Sequence, residues 1–227
     1  MSLPADPVES EAKTNAELRE AAMCRMIDTA IRLIAKHGAA KLSLVDVGRE
    51  SGYSHSLPNY YFKSKKRLLA EVFDHILTGF RARAQEWAKT HNPVRVRPGL
   101  SNIEATIRAY VGLASEDAVR SRAMHVLWAE SFSSMPELQP LARPFNERSV
   151  QFFSEQIRFG IERGEIRADV DPQALGVLLL ALLRGLVSQA LIDPDAFDLE
   201  QTGEMAIRVL SQGIGLHVPA ETGKPPG

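Results

Sequence analysis

Ser54 and His55 stand side by side in Gly52-Tyr53-Ser54-His55-Ser56, and a hydroxyl beside an imidazole is the pair from which an activated nucleophile is built. The spacing argues against that chemistry. A nucleophile elbow needs a strand before it and a glycine two residues after the serine; here Ser56 holds that place and no strand pattern precedes Gly52. No His-Glu-x-x-His pair and no phosphate-cradling glycine loop occurs, and Gly213-Ile214-Gly215 follows a helical pattern without a third glycine. The six histidines (37, 55, 75, 91, 125, 217) lack metal-ligand spacing, and the single cysteine, Cys24, leaves no Cys-based metal site and no intrachain disulfide. No catalytic residue, metal or cofactor is expected.

Charge points elsewhere. Lys65-Lys66-Arg67 follows Ser64 at the start of a long helical pattern. The N-terminal end of a helix is electropositive, so each cation there costs about 0.3–1 kcal/mol. A phosphate lying across that helix start reverses the sign. The net charge of -1 hides an asymmetry: residues 16–70 hold ten Lys/Arg against five Asp/Glu, and the chain from residue 71 onward is acidic. A basic segment on an acidic body suggests one part that meets a polyanion and one that does not.

The elements that position these residues are all helical. Apolar residues recur at helical spacing along almost the whole chain and strand-like alternation is absent, so an all-α fold of about nine helices is expected. The first helix opens on the capping box Thr14-Asn15-Ala16-Glu17, carries Met23, Ile27, Ala30, Ile31 and Ile34 on one face, and stops at Gly38. A second, short helix starts at Ser43 and stops at Gly52; a third runs from Ser54, its cap, to about Phe62, with Pro58 as the fourth helical position. Ser64 caps a fourth, through about Thr90. Residues 91–99 read as a loop, and helices follow at about 101–115, 118–133, 138–163, 171–192 and 198–214.

The second and third helices, joined by Gly52-Tyr53-Ser54, make a helix-turn-helix. Gly52 can take the positive φ of the sharp turn, and Gly48 is small where the two helices meet. His55, Ser56, Asn59, Tyr60 and Tyr61 are left as the polar side of a recognition helix, suited to base edges and phosphates.

The stretch SLVDVGRESGYSHSLPNYYFKSKKRLL resembles the signature of the TetR family of bacterial transcriptional regulators. Ser43, Val47-Gly48, Ser51-Gly52-Tyr53-Ser54, Asn59-Tyr60-Tyr61-Phe62 and Lys63-Ser64-Lys65 fall in register. The resemblance is specific over about residues 16–75 and continues beyond only as helix layout. It departs at Gly48, where alanine is usual, at Val45, where a polar or basic residue is common, and at Pro58. It implies that Ser43 caps the second helix and touches phosphate, that His55, Ser56 and Asn59 read bases, and that Tyr60 and Lys65 contact phosphate. Ser54, Leu57, Tyr61 and Lys63 join the same DNA-binding set.

The implied organisation is a disordered tail (1–15), a helix-turn-helix DNA-binding domain (16–75), a helical effector-binding and dimerisation domain (76–217) and a second disordered tail (218–227). The implied function is a cytoplasmic, homodimeric repressor that binds a palindromic double-stranded DNA operator and is released by a small-molecule effector. The N-terminus, acidic and without an apolar core, does not read as a signal peptide. A helical ligand-binding or adaptor protein of the same fold that leaves DNA alone is the alternative, and salt-dependent binding to duplex DNA discriminates the two.

Residues 174–192 are apolar on almost every side, but Arg184 at their centre makes membrane insertion costly. Such a helix is expected to be buried on both sides, against the body and against a second copy. The family resemblance implies the same: a four-helix dimer interface through about 171–192 and 198–214, to which Ala206, Val209, Leu210, Gly213 and Ile214 are assigned. The effector-pocket candidates are Tyr110, Met124, His125, Trp128, Phe132, Phe152, Phe153 and Arg184. A buried Arg184 needs an acidic partner or an anionic ligand, and an acidic partner within the dimer is preferred here.

Overall fold

The structure, a computed structural model, describes residues 14–91 and 96–215. These form α1 (Asn15–His37), α2 (Leu44–Ser51), α3 (Leu57–Phe62), α4 (Lys65–His91), α5 (Leu100–Glu116), α6 (Ala118–Ser131), a single 3-10 turn (Pro136–Leu138), α7 (Gln139–Glu162), α8 (Pro172–Ile192) and α9 (Leu199–Ile214). Among the described residues the only extended pairing is an isolated bridge, Ile166 to Gly215. Residues 1–13 and 218–227 of the expected tails, and 92–95 of the expected loop, lie outside the described residues.

Local chemistry sets the helix ends. Thr14 and Glu17 form the reciprocal capping box at the start of α1. Ser43, Asp117, Asp171 and Asp198 accept backbone N–H bonds at the starts of α2, α6, α8 and α9. Ser64 does the same for α4, accepting from the Arg67 N–H at 3.2 Å.

Two apolar cores result. The first joins Met26, Ile31 and Ile34 of α1 to Val47, Phe62, Leu68 and Val72, and it also takes in Ala123, Met124 and Leu127 of α6. The second joins Ile103 and Ile107 of α5 to Phe153 and Ile157 of α7, Leu179 and Leu183 of α8, and Ile207 of α9. The expected domain border at residue 75 falls inside α4, a helix continuous across it. The N-terminal helices are thus packed directly on α6 of the body.

α8 buries Leu175, Leu179, Leu183 and Val187 and leaves Val177, Leu178, Ala181, Gly185 and Ile192 exposed. It is the one described helix whose length and composition would suffice to cross a membrane. α9 has a matching bare edge at Met205 and Val209, with Gly213 also exposed. Leu210 and Ile214, assigned above to an outward face, instead pack against the second core, and Ala206 is half-buried. The 3.6-residue period places 210 and 214 one turn and two turns after Ile207, on its inner face.

The turn between α2 and α3 also differs from expectation. α3 begins at Leu57, not after Ser54; Ser56 is its N-cap residue without a side-chain cap bond, and Pro58 lies in its first turn. A helix begun at Ser54 would press the Pro58 ring on the Ser54 carbonyl. Begun at Leu57, the proline's missing N–H is one that no helix could have paired. Gly52 takes φ +78° as the left-handed cap of α2.

Gly48 packs tightly against the turn that leads into α3. A Cβ there would lie 2.8 Å from the Ser54 carbonyl oxygen and 3.1 Å from the His55 Cα, both backbone atoms. Gly48→Ala is therefore expected to destabilise the protein by about 1–3 kcal/mol, although alanine has the higher helix propensity. Gly79→Ala, in α4, meets nothing within 4 Å and should stabilise by about 0.5–1 kcal/mol. Thermal melts of the two variants should move in opposite directions.

Candidate nucleic-acid interface and effector pocket

The α2–α3 unit presents one polar surface. Ser54, His55, Ser56, Asn59, Tyr60 and Lys63 are exposed, while Pro58 and Phe62 turn into the first core. Tyr60 is 64% exposed, with the Lys63 ammonium 4.8 Å from its ring centroid. Tyr61 and Leu57 are half-buried on the core side; Tyr61 packs edge-on to Tyr60 and lies under the Arg19 guanidinium. Lys63 is the one described non-glycine residue at positive φ, at 63°. It ends α3 and turns the chain into α4.

Ser43 sits at the edge of this surface. Its hydroxyl oxygen accepts the Asp46 N–H at 3.1 Å and its O–H donates to the Asp46 carboxylate. That hydrogen bond, with Arg49 adding its charge, holds the Asp46 carboxyl below its usual range. The acid on this face is thereby satisfied locally.

The cations gather at the start of α4. Lys66 and Arg67 are exposed. The Lys65 ammonium donates to the Ala40 carbonyl at 2.7 Å; it has two further N–H groups to offer. That single bond ties the α4 start to the α1–α2 turn.

In the body, the structure brings together part of the predicted pocket set. The His125 and Trp128 rings meet edge-on at 5.0 Å, the Arg184 guanidinium carbon lies 4.0 Å from the Trp128 ring centroid, and Phe145 stacks on Trp128 with 6.0 Å between ring centroids. Tyr110 packs on Phe80. Burial pushes the Tyr110 phenol up to about 12, with the Arg184 charge opposing. Four predicted residues stand apart. Met124 is a member of the first core, and Phe152 and Phe153 pair with each other in the second. Phe132 is 75% exposed as the residue that ends α6, because it is Ser131 before it that turns inward.

Arg184 finds no acid: among the described residues it forms no ion pair. Nη1 donates to the Asn146 side-chain oxygen at 2.8 Å, whereas Nε and Nη2 are buried without a partner, as is Trp128 Nε1.

Glu130, which the sequence reading passed over, links the two regions. One of its carboxylate oxygens accepts the N–H groups of Ala39 at 2.9 Å and Ala40 at 3.2 Å. Ala40 in turn accepts from Lys65, so an unbroken line of hydrogen bonds runs from α6 to the α4 start. A signal did exist. Glu130 is an acid in the last turn of α6, the end where a helix repels negative charge. Asn146 and Phe145 carried no comparable mark. A second strap joins the same helices, with Arg120 bonded to Asp28 of α1 and to Asp117, which also holds Arg83 of α4.

His125 supplies a pH test. Nδ1 faces the Ser121 carbonyl at 2.8 Å and Nε2 the Arg184 carbonyl at 3.3 Å. Burial holds its pKa below the ordinary 6.5. A histidine depressed in the folded state takes up protons more readily when unfolded, so its contribution is full above pH 6.5 and is lost as pH falls toward the folded value. His125→Gln should therefore flatten the part of the melting-temperature decline that sets in below pH 6.5, measured against the parent protein in the same buffers.

Comparison with known proteins agrees with this geometry. Residues 26–72 match the family model described as bacterial regulatory proteins, tetR family, and residues 101–214 match the BetI-type transcriptional repressor, C-terminal. The chain is 38% identical over 56 residues to the HTH-type transcriptional regulator BetI of Agrobacterium fabrum, a match over 25% of this chain and 27% of that relative. It thus spans about a quarter of the length of that curated relative. A TetR transcriptional regulator from Chloroflexus aurantiacus superposes with a TM-score of 0.75 at 23% identity, covering 88% of this chain and 99% of the other. A transcriptional regulator from Saccharomonospora viridis in complex with choline superposes with a TM-score of 0.72 at 23% identity, covering 87% and 100%. The chain belongs to the TetR family of bacterial transcriptional regulators.

Proposed function

We propose that the protein is a DNA-binding repressor, acting in the cytoplasm as a homodimer, that grips a palindromic operator and is released by a small-molecule effector in the body. The observation that carries the reading is the exposed polar surface of the α2–α3 turn and α3, made by Ser54, His55, Ser56, Asn59 and Tyr60 and flanked by Lys63, Lys65, Lys66 and Arg67. His55, Ser56 and Asn59 are assigned to base edges in the major groove. Ser43, Ser54, Tyr60, Lys63 and Lys65 are assigned to the phosphates that set the docking angle, with Leu57 and Tyr61 supporting the helix from behind.

The dimer is assigned to the bare edges of α8 and α9, where Val177, Leu178, Met205 and Val209 lie open. Large apolar side chains left exposed together on neighbouring helices are characteristic of an interface. A two-fold pair would present two α3 helices to successive major grooves.

Release follows from the position of α6. Its Trp128 and His125 are assigned to the effector site, its Leu127 is in the first core, and its Glu130 holds the α1–α2 turn. An effector that binds better when α6 is displaced moves the DNA-binding helices with it, and its leverage equals its differential affinity for the two arrangements. The choline complex of the Saccharomonospora viridis protein supports a small molecule as the effector.

The reading is tested by fluorescence anisotropy with duplex DNA from upstream of the protein's own coding region, at two salt concentrations, with a shuffled duplex as control. Selective binding retained at the higher salt supports a repressor; weak, equal binding to both duplexes removes it. Asn59→Ala should narrow the preference for operator over shuffled DNA. Lys65→Ala should weaken binding to both and lower the slope of log K against log salt by about 1. Glu130→Ala should leave ligand affinity near the parent value while reducing the drop in operator affinity that a bound effector causes, read by repeating the anisotropy titration with and without effector.

A further inference from the structure

Three N–H donors are buried without a partner at the junction of α6 and α8: Trp128 Nε1, Arg184 Nε and Arg184 Nη2. They belong to adjoining groups, since the guanidinium carbon lies 4.0 Å from the Trp128 ring centroid. Buried donors are paired in folded proteins, and each exception asks for an explanation. All three are donors and none is an acceptor, so what completes them is an acceptor group.

The free atoms of Arg184 are not a random pair. Nη1 is engaged by Asn146, and Nε and Nη2 together form one edge of the planar guanidinium, with two parallel N–H bonds. That edge matches the two oxygens of a carboxylate. No acid of this chain reaches it among the described residues. The surroundings are aromatic: Trp128 lies against the guanidinium, Phe145 is nearly parallel to Trp128 at 14°, and His125 and Tyr110 close the sides. A cation entering here would meet a guanidinium that already lacks a counter-charge.

We propose that the effector is an organic acid, a carboxylate carried on an apolar body, and that Arg184 with Trp128 is the site that receives it. This rests on the reading of the body pocket as an effector site. The carboxylate sits on the Nε/Nη2 edge and takes the Trp128 N–H where an oxygen can reach it; the apolar body lies among Trp128, Phe145 and Tyr110. Because Arg184 is on α8 and Trp128 on α6, the ligand bridges the two helices, and α6 is the helix whose Glu130 holds the α1–α2 turn. The charge of the ligand thus acts on the helix that communicates with the DNA-binding face.

The test is a calorimetric titration of the full-length protein with three probes that share one body: phenylbutyrate, its amide and the corresponding amine. Operator release by each probe is followed in parallel by anisotropy. Phenylbutyrate is expected to bind about tenfold or more tighter than the amide, and the amine more weakly still. Arg184→Met, which keeps the apolar stem, should bring the carboxylate-to-amide ratio close to one while the protein remains dimeric in sedimentation. Arg184→Lys, which keeps the charge and loses the fork, should recover only part of the ratio; it also decides the matter should Arg184→Met fail to fold.

Equal binding of carboxylate and amide by the parent protein would overturn the proposal, as would a preference that survives in both Arg184 variants. Dissociation of the Arg184→Met dimer would overturn it too, by assigning the guanidinium to an acid of the second copy. Release of operator by the amine but not by the carboxylate would refute the anion while leaving the effector pocket standing. Binding of none of the three, with operator binding intact, would remove the pocket reading and this proposal together.

Discussion

The packing of α6 against α1 is the constraint on which the rest depends. Met124 and Leu127 are buried in the same apolar core as Met26, Ile31 and Ile34, so the DNA-binding helices have no core that is theirs alone. A close-packed interior does not deform continuously. A displacement of α6 must therefore be answered by α1 and the turn beyond it, or the core opens. Communication between the two ends needs no separate wire; it is a property of a shared interior, sharpened by the Glu130 and Arg120 straps that cross the same seam.

Three groups of charges stand where local physics disfavours them. Lys65, Lys66 and Arg67 crowd a helix N-terminus, Glu130 sits near a helix C-terminus, and Arg184 interrupts the most apolar helix of the chain. Each is explained only by something distant in sequence. Lys65 reaches Ala40, Glu130 reaches Ala39 and Ala40, and Arg184 lies across Trp128 and still has an edge to fill. Together they mark the α6–α8 junction, the α1–α2 turn and the α4 start, which is the pattern expected when function overrides local preference.

α8 is apolar on two sides, and only one of them is buried within the chain. Its leucines at 175, 179 and 183 close the second core, and the residues between them leave an apolar strip uncovered. A helix apolar on all sides cannot satisfy both faces within one chain of this size. The same helix carries Arg184 on a third side, toward α6 and α7. A single helix thus carries a core face, an uncovered apolar strip and the one guanidinium that meets Trp128.

Much of this was legible in the sequence, and for a common reason. Helix starts and stops depend on side chains within four residues, so the Thr14 box, the Ser43 cap and the left-handed Gly52 could be read directly. The polar set on α3 followed from the same short range, and the clash set by Pro58 is local too, although it moves the helix start to Leu57. The pocket was legible only as residue types. Whether Phe132 faces inward, whether Leu210 or Val209 is the outward residue, and which of the aromatics Arg184 lies upon are settled by how helices cross, through contacts dozens of residues apart. Periodicity says that a helix has an apolar side; it does not say what that side will meet. The sequence by itself therefore determined the helices, most of their caps and the polar surface around α3. Tertiary structure alone decided that Glu130 would hold the α1–α2 turn and that Arg184 would be left with an unfilled edge, because both depend on where α6 comes to rest.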